Sequence, residues 1–361
     1  MLLSENTINA VREASTVDII GHYVKLKRAG SNMLGLCPFH GEKTPSFTVT
    51  ETKGIYKCFG CGKSGDAIAF VMEHEKQDFI QAVETIANIA GIAIEYTEPE
   101  DSEKYAAQKQ QRQSMEEVLQ LVINKYKANL LALPEHDPVM QYLTSRGITR
   151  EIMIEWNLGW STTDWRHLTP GLINAGHHDH AAAMGIIKHG KNDDSNYDGY
   201  RSRIIIPITN HQGRSIGIAG RYLQLDEADK GKEYAKYINP TENELYNKSA
   251  TLFGLNRATR AIKERRFAWL TEGYFDVISM HTYGDENTVA TCGTALTDEQ
   301  ARLLRKYTDH VIILRDGDKA GTAAVEKDIP TLIKARFKVE VAQLPDKMDP
   351  DDFVRSLLKV A

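Results

Sequence analysis

Three short apolar runs near the end of the chain each lead into carboxylates, and that pattern narrows the fold more than any other stretch. Phe267-Ala268-Trp269-Leu270 is followed by Thr271-Glu272-Gly273-Tyr274-Phe275-Asp276. His310-Val311-Ile312-Ile313-Leu314 is followed by Arg315-Asp316-Gly317-Asp318. Phe337-Lys338-Val339-Glu340-Val341-Ala342 leads through Leu344-Pro345 to Asp349-Pro350-Asp351-Asp352. The runs read as strands of an α/β unit. In an open parallel sheet, ligands bind beyond the carboxyl ends of the strands, so these acids gather on one edge. Carboxylates that close repel one another unless hard cations sit between them. Mg²⁺ is the usual cation for oxygen ligands of this kind, and it brings phosphate substrates with it. Asp-Gly and Asp-Pro are also ordinary loop dipeptides. The repetition after three separate runs is what favours a metal.

A chain of 361 residues has room for two or three domains. It is 42% hydrophobic and 26% charged, an ordinary globular composition. The net charge of −5 does not advertise nucleic-acid binding, but an acidic metal site and a basic groove would offset each other. No apolar run approaches membrane-spanning length. The first 30 residues carry Glu5, Glu13 and Asp18 and no apolar core of a signal peptide, so the expectation is a cytoplasmic protein that does not engage membranes. Four cysteines suit a metal site or free thiols better than a disulfide framework.

Three of those cysteines belong to one pattern. Cys37-Pro38-Phe39-His40 and Cys58-Phe59-Gly60-Cys61 each hold two residues between ligand-type side chains, and 17 residues separate the pairs. Two such knuckles on a hairpin make a tetrahedral Zn²⁺ site, with Cys37, His40, Cys58 and Cys61 as ligands and no open position. The zinc is therefore structural. Between and around the knuckles Lys43, Lys53, Lys57 and Lys63 alternate with Phe39, Phe47, Tyr56 and Phe59. Such a mixture suits a nucleic-acid single strand, while the aromatics would equally serve as the core of a small ribbon. Upstream, residues 4–21 read as one or two short helices, and His22–Arg28 alternates like a strand with a basic face.

Thr97-Glu98-Pro99-Glu100-Asp101-Ser102-Glu103 is acidic, contains proline and marks a boundary. Helical periodicity resumes from Ser114 to Leu131, Asp137-Pro138 opens a second helix ending at Arg146-Gly147, and Glu151–Trp156 forms a third. From Arg201 the chain turns to strands. Arg201–Ile208 and Ser215–Arg221 flank a turn at Asn210–Arg214. Arg146, Arg201, Arg203, Arg221, Lys236 and Lys248 are the notable cations of this middle region, and scattered cations are ordinarily solvated surface charge. His177, His178 and His180 match no familiar metal spacing and stay unassigned. Cys292 reads as a small buried residue.

Several of these stretches together resemble the bacterial DnaG-type primases. The Cys-His-Cys-Cys pattern with Thr44-Pro45-Ser46-Phe47 is similar to their N-terminal zinc-binding domain. The Arg-x-Arg strand, the Gly220-Arg221 strand end, Lys236, Lys248 and Arg146 in Arg-Gly-Ile resemble the basic part of their RNA polymerase domain. Glu272-Gly273-Tyr274-Phe275-Asp276, Gly293-Thr294-Ala295, Asp316-Gly317-Asp318-Lys319-Ala320-Gly321 and Asp349-Pro350-Asp351-Asp352 resemble the TOPRIM domain. The resemblance implies a multidomain α+β and α/β chain: a zinc ribbon (1–98), a linker (99–112), a mixed α+β basic subdomain (113–260) and a TOPRIM domain with a mostly parallel sheet (261–361). It implies RNA primer synthesis on single-stranded DNA from NTPs in a metal-dependent nucleotidyl transfer. Glu272, Asp316 and Asp318 would bind Mg²⁺ or Mn²⁺, with Asp349 and Asp351 in support. Glu272 could instead move a proton, and Asp276 could cap a helix rather than bind metal. The six cations would hold template and nucleotides, so activity should fall as salt rises. A TOPRIM nuclease and a non-catalytic zinc-ribbon DNA-binding protein are the rival readings. In the family a helical subdomain and a helicase-binding domain follow the Asp-Pro-Asp motif. This sequence stops at Ala361, so the expectation is either a short stand-alone primase or a truncated chain, without helicase partnership by the usual route.

Overall fold

The computed structural model describes residues 3–96, 99–190, 195–225, 231, 233–293, 295–345 and 348–358. Thr97 and Glu98 of the acidic boundary and Thr294 of the Gly-Thr-Ala triplet lie outside them. The chain forms two compact units, Met1–Lys109 and Gln110–Ala361.

The first unit opens with α1 (Glu5–Glu13) and α2 (Thr16–Gly21), capped by the Ser4 and Ser15 hydroxyls. Five antiparallel strands follow in sequential order: β1 (Lys27–Ala29), β2 (Asn32–Gly35), β3 (Phe47–Thr50), β4 (Ile55–Cys58) and β5 (Ser64–Gly65). Helices α3 (Ala67–Glu75) and α4 (Phe79–Ala90) close the unit, the latter with an Asp78–Gln81 capping box. Alternation in β3 and β4 turns Phe47, Val49, Tyr56 and Cys58 inward onto Phe70, Val71 and Ile86. The strand expected from His22 starts only at Lys27. The N–H groups of His22, Tyr23 and Val24 return to carbonyls of α2 instead, extending its last turn.

Helix α5 (Pro99–Leu131) carries the chain into the second unit. It begins well before the Ser114 start that the periodicity suggests. Residues 99–112 are rich in Glu, Lys, Ala and Gln, good helix formers with no apolar stripe, so a period-based reading cannot see them. From Met115 the buried face of α5 enters the core of the second unit through Leu119, Val122, Ile123 and Tyr126. Then come α6 (Pro138–Ser145), capped by Asp137 at 2.8 Å from Val139 N, and α7 (Arg150–Glu155). Short elements β6 (Gly159–Trp160), α8 (Thr169–Asn174), α9 (His178–Ala183), β7 (Ile187–His189) and β8 (Asn196–Asp198) lead to the long hairpin of β9 (Arg203–Thr209) and β10 (Ser215–Tyr222). With β11 (Tyr237–Ile238) they form an antiparallel sheet of order β11-β10-β9-β6. Strand β9 starts two residues later than read from the sequence, because Ser202 sits at φ +52°.

After α10 (Leu255–Arg265) a βα repeat builds the last sheet: β12 (Ala268–Thr271), α11 (Tyr274–Thr282), β13 (Thr288–Ala290), α12 (Asp298–Arg305), β14 (His310–Leu314), α13 (Lys319–Lys334), β15 (Lys338–Ala342) and α14 (Pro350–Leu358). All described pairings are parallel, in the order β13-β12-β14-β15. The order reverses between β12 and β14. That is the topological switch point, where α/β sheets leave a crevice beyond their carboxyl ends. Among the described residues no helix is long and apolar enough to cross a membrane.

Candidate metal centres and substrate cavity

In the first unit, Cys37 and His40 follow β2, Cys58 ends β4 and Cys61 sits in the turn before β5. Their ligand atoms lie within 4.8 Å of one another. The surroundings suit a metal-bound set. Glu42 accepts from Cys37 N at 2.7 Å and from Ser46 N at 3.1 Å, and its other oxygen lies 3.3 Å from His40 Nε2. Phe39 N and Cys61 N donate to the sulfurs of Cys37 and Cys58 at 3.4 Å. Burial raises the Cys58 thiol, but hydrogen bonds from Ser46 and the Cys61 backbone outweigh it and bring it down to about 6. Three thiols and an imidazole in this geometry fit Zn²⁺. The aromatics divide: Phe39, Phe47 and Tyr56 pack on Phe70, whereas Phe59 is 70% exposed with the Lys57 ammonium 5.3 Å above its ring. Chelating the zinc should free three thiols for a thiol reagent while the buried Cys292 stays silent; a count of four or of none after chelation contradicts this assignment.

In the second unit the strand-end acids meet. Glu272 follows β12 directly, and Asp316 lies two residues beyond β14. Gly317 makes the turn between Asp316 and Asp318 possible. Its N–H donates to Met348 O at 2.8 Å, and an added Cβ would lie 2.3 Å from Pro345 O, so only glycine brings this loop against the approach to Asp349. Glu272, Asp276, Asp316 and Asp349 line one cavity of about 240 Å³. Burial raises Asp316 to about 6, helped by Glu272, Asp349 and Asp318. Burial likewise lifts Asp276 to about 7 against the Gly273 N–H, which donates to it at 2.7 Å as the cap of α11. Asp318 caps α13, accepting from Gly321 N at 2.7 Å, and faces an adjoining cavity beyond Asp316. Asp349 accepts from Asp352 N at 2.6 Å at the start of α14. Oxygens of Asp349, Asp351 and Asp352 also approach within 4.8 Å. Hard oxygen donors gathered in this way fit Mg²⁺ or Mn²⁺.

The sign of the pH effect follows. Asp316 is raised in the folded state above its ordinary value of 3.8, so its contribution to stability is fully present below that value and is lost as pH rises through about 6. A divalent cation replaces those protons. Millimolar Mg²⁺ should therefore raise the melting temperature of metal-free protein at pH 8 and do little at pH 5; an equal shift at both would contradict the assignment.

The same cavity is also lined by three cations: Arg146, Arg221 and Lys236. Both arginines stack on Tyr142 and Phe275, at 5.1–5.7 Å from the ring centres. Arg221 donates to Tyr237 Oη at 3.0 Å, and its buried Nε has no hydrogen-bond partner among the described residues. The other three cations expected here lie off the cavity lining. Arg203 is 3% exposed and donates to Gly220 O and Ala235 O, both at 3.0 Å, so it braces the sheet. Arg201 packs 4.5 Å over Trp165, and Lys248 opens a short 3₁₀ turn. Residues that the sequence did not single out add to the lining, among them Tyr237, Asn239 and Tyr274, the last donating to Asn239 Oδ1 at 2.8 Å.

Beneath the acids lies a buried pair with no signature in the sequence. Arg315, 3% exposed, donates through Nε to Asp328 at 3.1 Å and through Nη1 to Thr271 O at 2.8 Å. Asp328, 0% exposed, also accepts from Leu296 N at 2.9 Å. The pair ties the residue before Glu272 to the residue before Asp316.

Residues 3–102 match the CHC2 zinc finger, 126–259 the N-terminal domain of the DNA primase catalytic core, and 269–354 the Toprim-like family. The DNA primase of Listeria monocytogenes is 37% identical over 358 residues, covering 98% of this chain and 56% of that protein. The chain thus spans about half the length of the curated relatives it matches. The crystal structure of the zinc-binding and RNA polymerase domains of Aquifex aeolicus primase matches with a TM-score of 0.62 at 35% identity, over 99% of this chain and 83% of that one. A DnaG primase catalytic domain bound to single-stranded DNA matches with a TM-score of 0.61 at 28% identity, over 69% of this chain and 78% of that one.

Proposed function

The chain belongs to the DnaG-type DNA primase family, and from that premise we propose that it synthesises short RNA on a single-stranded DNA template in the cytoplasm. The observation that carries this reading is one cavity lined both by Glu272, Asp276, Asp316 and Asp349 and by Arg146, Arg221 and Lys236. In the proposed reaction a ribose 3′-hydroxyl attacks the α-phosphate of an NTP. A P–O bond forms to the new nucleotide, the hydroxyl's O–H bond breaks with its proton passing to water, the α–β bridge bond breaks, and pyrophosphate leaves with the electron pair. Glu272, Asp316 and Asp349 would hold a divalent ion, which when bound would neutralise phosphate charge and lower the pKa of the attacking hydroxyl. Arg146, Arg221 and Lys236 bind the triphosphate and orient it for in-line displacement. Asp318 fixes the turn that presents Asp316. The zinc module contributes template contacts, with exposed Phe59 offering a face for base stacking and Lys57 a charge for phosphate. The working division remains a zinc domain to residue 98, a basic subdomain from 113 to 260 and a TOPRIM domain from 261.

Arg221→Ala tests the assignment of these cations. Losing a charge-assisted contact of roughly 1.5–3 kcal/mol should raise the NTP concentration at half-maximal primer synthesis about ten- to a hundredfold. An unchanged NTP dependence would remove Arg221 from the substrate site.

A further inference from the structure

Asp351 belongs to the strand-end acids by sequence, but its carboxylate is already full. Its side chain is 1% exposed. One oxygen accepts from Ser279 Oγ and from Arg355 Nε at 3.1 Å. The other accepts from Arg146 Nη1 and from Arg355 Nη2 at 3.3 Å. Two oxygens with four donors leave no lone pair for a cation. Asp351 also does not line the cavity, whereas Arg146 does. Arg355, on α14, donates in addition to Ser145 O at 3.3 Å, the residue before Arg146. The backbone and the guanidinium at this corner are thus both tied to α14.

We propose that Asp351, held by Arg355, is a positioning residue that aims Arg146 at the phosphate chain of the substrate and does not ligate the divalent ion. The physical logic is orientation. A guanidinium at the C-terminal end of α6 has many rotamers, and stacking on Tyr142 and Phe275 fixes its plane but not its direction. A buried carboxylate on one edge fixes the direction and leaves the other edge for an incoming anion. The clasp joins residues 205 positions apart, so it also sets the spacing between the basic and acidic groups. The inference rests on the nucleotidyl-transfer reading only for the nature of the anion.

The test separates metal from anion. Mn²⁺ affinity is measured by electron paramagnetic resonance, and inorganic tripolyphosphate affinity, with Mg²⁺ present, by calorimetry. Asp351→Asn should keep Mn²⁺ affinity within about twofold and weaken tripolyphosphate about tenfold, a loss of one well-placed charged contact. Asp349→Asn should weaken Mn²⁺ instead. In an Arg146→Met background Asp351→Asn should cost nothing further, because it acts through Arg146. Should Asp351→Asn fail to fold, Arg355→Met removes two of the four donors without altering the cavity lining. It should weaken tripolyphosphate about threefold and leave Mn²⁺ unchanged, again only while Arg146 is present. Loss of Mn²⁺ binding in Asp351→Asn, additive losses in the double variant, or no tripolyphosphate binding by the parent chain would each overturn the proposal. Tripolyphosphate binding with this pattern but no RNA synthesis would instead sink the primase reading and leave the clasp standing.

Discussion

Glu272→Gln and Asp316→Asn are each expected to reduce primer synthesis by about 10²–10³-fold or more, the scale on which a single preorganised electrostatic contact to the reacting centre acts. Both substitutions keep size and shape and remove one negative charge from the cluster that would hold the cation. Stability should move the other way. Burial, Glu272, Asp349 and Asp318 all oppose ionisation of Asp316, so a neutral amide there relieves repulsion in metal-free protein. Metal-free Asp316→Asn should melt above the parent at pH 8 and lose most of the Mg²⁺-induced rise. Activity lost together with stability would mean that Asp316 is structural, and more than a tenth of the parent activity would remove it from the reacting centre.

Arg315→Met should cost about 3–5 kcal/mol, because it leaves Asp328 charged, unpaired and fully buried. The double variant Arg315→Met/Asp328→Leu should recover most of that loss, since an apolar pair of similar volume removes the stranded charge. All four tryptophans, Trp156, Trp160, Trp165 and Trp269, lie in the second unit, so urea unfolding followed by their fluorescence reports on that unit alone. Recovery of stability should not bring recovery of Mg²⁺ affinity. The double variant still lacks the N–H that holds Thr271 O next to Glu272. Full recovery of both would show that the pair serves packing only.

Much of this was legible because local chemistry decided it. Asp137 before Pro138, the Asp-Gly-Asp turn and the Cys-x-x-His and Cys-x-x-Cys knuckles each fix a backbone shape within a few residues. The acids read from β12, β14 and the approach to α14 do share one edge. What escaped was non-local. Strand β13 is three residues, Thr288–Ala290, with no acid directly after its carboxyl end, and pairing with β12 and with Phe253 makes it a strand. The helix through residues 99–112 has propensity without periodicity. Arg203 and Arg221 look equivalent in sequence, yet alternation along a hairpin and a carbonyl at Gly220 turn one inward to brace the sheet while the other reaches the cavity. Asp328 carries no motif, because the arginine that explains it lies 13 residues away across a helix–strand packing. Asp351 belongs to a motif whose positions look alike, and only its neighbours from α6, α11 and α14 separate it from Asp349.

The most direct measurement is incubation of the chain with labelled NTPs, Mg²⁺ and an unlabelled single-stranded DNA, with an end-labelled copy of the same DNA in a parallel tube. A primase gives short, alkali-labile products in the first tube, absent with Glu272→Gln, and intact DNA in the second. Intact NTPs together with Mg²⁺-dependent cleavage of the labelled DNA would contradict the primase reading and make this a TOPRIM nuclease.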